Sequence, residues 1–158
     1  MNVPDPYPVF VPGMDIARIM LGCAAVVVDE YGRVLLQKRA DNGHWGLPGG
    51  GVDPGEMVAD TVVREVFEET GYRVEVVRLH GVYSDPRIGQ LIRYEDGKVV
   101  HIVALVFVCR VVGGERTVSH ESTAVEWFDP RALPKPMTPS HVVRLGDFLS
   151  GSGGLVVR

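Results

Sequence analysis

Three glutamates, Glu65, Glu68 and Glu69, fall in a segment from about Met57 to Thr70 whose apolar residues recur at three and four. On a helix at roughly 100° per residue their carboxylates share a wedge of about 100°. Val62, Val66, Ala59, Val63 and Phe67 occupy the opposite arc. Carboxylates at these spacings repel one another by a few tenths of a kcal/mol per pair, so the wedge is mildly unfavourable unless a cation sits on it. Mg²⁺, which takes oxygen ligands and favours one or two carboxylates plus substrate phosphates, is the economical candidate. A solvated acidic helix face is the competing reading of the three glutamates alone. The glycine-rich loop Gly46 to Gly55 in front of the helix favours the first.

The segment begins Gly50-Gly51-Val52-Asp53-Pro54-Gly55-Glu56. After seven more residues it continues Arg64-Glu65-Val66-Phe67-Glu68-Glu69-Thr70-Gly71-Tyr72. It resembles the Nudix box, with a residue at every fixed position: Gly50, Glu56, Arg64, Glu65, Glu68, Glu69 and Gly71, and Val66 at the aliphatic place. Seven fixed types at typical usage of roughly 5–8% each would match by chance on the order of once in a million chains of this length. Tyr72 stands at the closing apolar position, a small departure that concerns packing. The resemblance extends to Val34–Arg39, to Trp45–Gly50, and to Glu121 ahead of Trp127-Phe128 and Leu133-Pro134, covering roughly residues 21 to 150.

The resemblance implies a metal-dependent hydrolase that cleaves the diphosphate linkage of a nucleoside diphosphate derivative. It implies Mg²⁺ or Mn²⁺, one to three ions, on Glu65, Glu68, Glu69 and the backbone carbonyl of Gly49. Either Glu65 or Glu121 takes the proton from the attacking water, and Arg64 fixes the rotamers of neighbouring glutamates. Arg39 ends a strand before the loop and suits a phosphate clamp or plain surface solubility. Trp45 suits base stacking or corner packing. Pro86 lies fifteen residues after Gly71 in Tyr83-Ser84-Asp85-Pro86, a spacing that resembles the ADP-ribose pyrophosphatase subgroup. This makes Tyr83 and Arg87 substrate candidates and Pro86–Gly97 a candidate flap. ADP-ribose or a sugar nucleotide is therefore the first expectation, and a (deoxy)nucleoside triphosphate pyrophosphatase the second. A non-catalytic nucleotide-binding module is the alternative of another class, and every box carboxylate it would be expected to lose is present.

Positioning these residues requires an α/β domain. Leu21–Asp29 and Val34–Gln37 around Asp29-Glu30-Tyr31-Gly32 read as a hairpin. Val74–Leu79, a segment near Val82, Val99–Val112 and Ala124–Phe128 read as further strands. Gly71 terminates the first helix, and Ser140 reads as the N-cap of a second that ends near Gly151. Asp53 and Pro54 read as the start of the first helix, with Glu56 closing a capping box. The fold class expected is a mixed α+β sheet between helices, the α/β/α sandwich that the resemblance also implies. Residues 1–16 read as a proline-rich arm, 17–150 as the domain and 151–158 as a flexible tail. At 158 residues the chain suits one domain.

Composition excludes several classes. Lys plus Arg is 16 against 20 Asp plus Glu, a net −4 without a basic footprint, which argues against a nucleic-acid polymer as partner. With 46% hydrophobic and 23% charged residues the chain is globular rather than disordered. Its longest apolar stretch is too short to span a membrane. Cys23 and Cys109 lie in apolar runs, which suggests reduced thiols and a cytoplasmic location. Trp127 and His101 are assigned structural roles. The arm, or Val99–Val112 as an edge strand, offers a possible homodimer contact.

Overall fold

The uninterrupted run Cys23–Val28 can satisfy its apolar side chains only if both faces of its strand are covered. The computed structural model describes residues 5–151 and 153–158, and in it that run belongs to β1 (Arg18–Val28). β1 pairs in parallel with β7 (Val99–Gly114) along its whole length. Among the described residues the sheet runs β3 (Trp45–Gly46), β2 (Val34–Arg39), β1, β7, β5 (Tyr72–Tyr83), β9 (Val156–Val157). β4 (Gly49–Gly51) adds to β1, β6 (Leu91–Arg93) to β7, and β8 (Ser122–Phe128) to β2.

Alternate β1 residues serve opposite cores. Cys23, Ala25 and Val27 pack with Val62 and Val66 of α1 (Val58–Thr70), and Ala24 and Val26 pack with Leu145 of α2 (Pro139–Ser150). Burying a valine or leucine of this kind contributes about 1.5–3 kcal/mol. This two-sided sheet matches the mixed α/β sandwich expected. Both cysteines are free and buried, and burial pushes the Cys23 thiol up to about 11 and the Cys109 thiol up to about 12, so neither is a ready nucleophile.

Several local expectations are corrected. β7 lies between β1 and β5 and is not an edge, so Val99–Val112 cannot recruit a second copy by edge pairing. The segments around Val74–Leu79 and Val82 form one strand, β5, interrupted by register shifts. The tail expected to be flexible adds β9 in parallel to Gly81 and Val82, and Arg158 pairs with Asp147; Ser152 lies outside the described residues. Pro86–Gly97 is held in place rather than free as a flap: a short 3₁₀ turn at Pro86–Ile88 leads into β6, which pairs with β7. From the arm, Tyr7 is buried and Arg93 N–H donates to the Pro6 carbonyl at 2.9 Å, so residues from Asp5 onward lie on the domain; residues 1–4 fall outside the described ones.

The helix starts also shift. α1 has Met57 at its N-cap, a side chain with no cap to offer. Glu56 Oε2 does accept the Asp53 N–H at 3.2 Å, the return bond of the expected box, but in the turn before the helix, where Arg64 and the Thr61 hydroxyl also hold its carboxylate. Asp53 and Pro54 stay in the turn before it. α2 has Thr138 at its N-cap and Pro139 in its first turn, with Ser140 buried one residue inside.

Gly71 closes α1 with φ 76°, and its N–H donates to the Phe67 carbonyl at 2.9 Å. A Cβ there would lie 2.2 Å from the Glu115 carbonyl oxygen. Gly71→Ala is therefore expected to destabilise the protein by at least about 2 kcal/mol. In thermal unfolding this appears as a fall in Tm of roughly 4 °C or more.

Candidate active site

The box folds back on itself through one arginine. Arg64 Nε donates to Glu56 Oε1 at 2.7 Å and Nη2 to Glu56 Oε2 at 2.9 Å, a two-point grip on one carboxylate. Its Nη1 reaches Glu65 Oε1 at 2.8 Å and Glu68 Oε2 at 3.2 Å, and Nη2 lies 3.4 Å from the Gly51 carbonyl oxygen. Arg64 thus ties the helix to the loop and fixes the direction of Glu65. The same contact, helped by the Thr61 hydroxyl, holds the Glu56 carboxyl down to about 2.

Glu69 sits deeper, 6% exposed, and its Oε2 accepts the Gly49 N–H at 2.8 Å. Burial is the main cause of the rise of its pKa to about 8; the charges of Glu65 and Glu121 add to it, and the Gly49 N–H and the Gln37 side chain oppose it. Glu65 is likewise raised, chiefly by burial and then by Glu68 and Glu121, against the pull of Arg64. Glycine is required where the loop meets these groups. A Cβ on Gly50 would fall 2.5–2.7 Å from the Glu65 carboxyl group, and one on Gly49 would fall 2.1 Å from the Cys23 carbonyl oxygen.

These carboxylates suit a hard divalent cation. The donors are all oxygen, and the two inner ones carry raised pKa values, the response of acids that share a low-dielectric site without enough positive charge. As the side chains stand, no three acidic, histidine or cysteine groups among the described residues converge as a chelate. Arg64 holds Glu65 and Glu68, and Glu68 is exposed with Arg64 as its one ion-pair partner among the described residues. Gly49 meets the site through its N–H; ligation by its carbonyl belongs to the proposal below. Glu121 is largely exposed, 3.6 Å from His120 Nε2, and its loop is docked to β2 through Ala40 N–H on the Glu121 carbonyl. Its charge is the smallest of the causes that raise Glu65 and Glu69, and its side chain stays exposed in that loop.

A cleft of about 890 Å³ opens beside the box, with Gly49, Gly50 and Gly51 in its wall. Arg39 lines it, forked onto Asp41 at 2.6 and 3.0 Å. The other expected substrate residues do not. Tyr83 is fully buried, its hydroxyl bonded to His80 and Asp147, because the β5 alternation turns it into the α2-side core. Trp45 is buried edge-on against Phe128. Arg87 is exposed and paired with Asp85 at 2.7 Å. Trp127 packs on Tyr72, and His101 meets the Ser84 carbonyl, the structural roles expected of them.

Sequence reasoning passed over Gln37, Gln90, His141, Arg144 and Tyr7. All but Tyr7 are polar residues within or beside apolar runs, the signal that would have flagged them. All five line the cleft.

The NUDIX domain family matches residues 19–145. The chain belongs to the Nudix hydrolase family. It is 46% identical over 130 residues to a MutT-like protein of Streptomyces ambofaciens, covering 82% of this chain and 77% of that one. It is 35% identical over 132 residues to a putative 8-oxo-dGTP diphosphatase of Bacillus subtilis, covering 83% and 80%. The fold superposes on a crystal structure of an ADP-ribose pyrophosphatase from Streptococcus suis with a TM-score of 0.66 and 28% identity, covering 88% and 97%. Nudix hydrolases are pyrophosphohydrolases of nucleotide derivatives, generally with Mg²⁺ or Mn²⁺. No helix among the described residues is long and apolar enough to cross a membrane.

The raised Glu69 carboxyl makes a prediction for protein held in chelator. Its folded pKa of about 8 exceeds the ordinary 4.5, so its contribution to stability is fully present below about pH 4.5 and is lost as pH rises through 8. Glu69→Gln removes that loss. In chelator at pH 8 the variant is expected to melt a few degrees above the parent, and the difference is expected to shrink toward pH 5. A lower Tm at pH 8 would place Glu69 in a compensated site instead.

Proposed function

We propose that this Nudix hydrolase cleaves the diphosphate of a nucleoside diphosphate joined to a second moiety, a class that includes ADP-ribose and the sugar nucleotides. The carrying observation is the placement of Glu65 and Glu69 directly behind Gly49–Gly51, which also wall the large cleft. Substrate in the cleft would thus present its diphosphate to the carboxylates. The cleft is lined from two flanks, Arg39, Asp41 and Asn42 on one and Arg93, Tyr94 and Lys98 on the other, which supports a substrate with groups on both sides of the diphosphate. The Pro86 turn and the Streptococcus suis relative favour the same class. The Bacillus subtilis relative favours a second reading, a (deoxy)nucleoside triphosphate pyrophosphatase.

In this reading Gly49, through its carbonyl, with Glu65, Glu68 and Glu69, holds one to three Mg²⁺ or Mn²⁺ ions. A divalent ion there neutralises diphosphate oxygens and acidifies water. Arg64 keeps Glu65 aimed, and Glu65 or Glu121 receives the water's proton. Arg39 steadies a phosphate from the β2 side. The small nucleotide is the partner, and a cytoplasmic location accords with the free, buried thiols.

Product analysis of ADP-ribose, sugar nucleotides, dinucleotides and deoxynucleoside triphosphates, with Mg²⁺, Mn²⁺ or chelator, tests the proposal. Cleavage of the diphosphate-linked class to two monophosphates, abolished by chelator, is expected; release of pyrophosphate from triphosphates alone would select the second reading. Glu69→Gln is expected to abolish turnover. Glu121→Gln decides the base, with a loss of about 10²–10⁴ in kcat if Glu121 is that base, whereas Glu65→Gln also removes a metal ligand and is expected to lose turnover in either case. A change of only a few-fold in Glu121→Gln assigns the role to Glu65.

A further inference from the structure

At the end of the cleft formed by the first turns of α2, a guanidinium is buried without a counter-ion. Arg144 is 4% exposed, and among the described residues no carboxylate pairs with it. Its Nη2 donates to Gln90 Oε1 at 2.9 Å, its Nε has no partner, and its centre lies 5.7 Å from the Tyr83 ring centroid. Gln90 cannot turn away, because its Nε2 donates to the Tyr83 and Ile102 carbonyls, each at 2.9 Å. Asp147, the acid on the same helix, is committed to Arg158 at 2.9 Å and to the Tyr83 hydroxyl at 3.1 Å. Removing one partner of a buried ion pair is strongly destabilising, so a buried charge held ready without a partner needs a reason.

The reason lies in what surrounds the cleft. Arg144 lines it together with Thr138, Ser140 and His141. His141 Nδ1 accepts the Leu47 N–H at 2.8 Å, and burial beside Arg144 and Arg39 keeps the ring neutral, so Nε2 carries the hydrogen and is a second donor. His141 lies in the first turn of a 12-residue helix, where the backbone adds partial positive charge, and Arg144 lies one turn further in. This end of the cleft is therefore rich in donors and positive, opposite in sign to the box.

We propose that this end is an oxyanion subsite in which Arg144, oriented by Gln90, takes a phosphate oxygen of the nucleotide independently of metal at the box. The inference rests on the nucleotide-hydrolase reading above and adds a binding contact to it.

The test is thermal unfolding of the whole protein in chelator, titrated with inorganic phosphate, AMP or adenosine. Phosphate and AMP are expected to raise Tm with concentration, and adenosine is expected to leave it unchanged. In Arg144→Met the apparent Kd for phosphate and AMP should weaken at least about tenfold, with each shift read against the variant's own unliganded Tm, because the change removes an uncompensated charge and also leaves Gln90 Oε1 without its donor. Arg144→Lys, which keeps the charge without the planar fork, should recover part of the binding and serves if the methionine variant does not fold. Equal phosphate shifts in parent and variants, no shift in the parent, or adenosine binding as well as AMP would each overturn the subsite. Turnover with Mg²⁺ on the same preparations is read separately. Cleavage without a phosphate shift overturns the subsite alone, and a phosphate shift without cleavage of any nucleotide overturns the hydrolase reading alone.

Discussion

Holding negative charge where water is scarce is the constraint on which this structure turns. Glu69 lies almost wholly out of solvent beneath the Gly49 N–H, and Glu65 presses against Gly50. A Cβ on Gly49 would run into the β1 backbone at Cys23 and one on Gly50 into the Glu65 carboxyl group, so glycine lets the loop lie this close to both. Pairing of β4 with β1 then fixes the height of that loop, through Gly49 opposite Ala24 and Gly50 opposite Cys23. Arg64 supplies the nearby positive charge, yet it spends its strongest grip on Glu56, outside the inner pair. The inner carboxylates remain under-compensated, the condition a divalent cation relieves.

The sheet makes this arrangement rigid at small cost in chain length. Successive β1 residues alternate between the α1 core and the α2 core, so one strand registers both helices to a single reference. α1 delivers the carboxylates and α2 delivers His141 and Arg144. The same strand lines the cleft between them from Arg18 to Ala24. A shift of β1 by one residue would exchange its two cores and misplace both groups together.

Elements set by local chemistry were legible in the sequence. The period of α1, the glycine that stops it and the two-sided burial of β1 follow from residue type and spacing alone. What was not legible depends on partners distant in the chain. Glu56 read as part of a capping box, and its bond to the Asp53 N–H is present, but the grip of Arg64, eight residues on, does not enter a local rule. Tyr83 looked available because its burial is decided by α2, which packs against the strand from more than fifty residues away. The tail looked flexible because its glycines are local, whereas the β5 edge that receives Val156 and Val157 is not. Arg144, set between Val143 and Leu145, carried a detectable signal, a charge inside an apolar run.

The walls of the cleft come from different parts of the chain. The family matches residues 19–145, and the residues that hold the carboxylates all lie within it. Part of the cleft wall does not. Pro6 and Tyr7 line it from the arm, and the Tyr7 hydroxyl meets Thr138 Oγ1 and Asn42 Nδ2, each at 3.2 Å, joining the β2–β3 loop to the start of α2. Those are the elements that present Arg39 on one side and His141 and Arg144 on the other. The carboxylates are thus positioned by α1 and the β4 loop, while Arg39, His141 and Arg144 are positioned by elements that the arm braces. A change in the arm therefore acts on the cleft wall at Asn42 and Thr138 and leaves the contacts of Glu65 and Glu69 untouched.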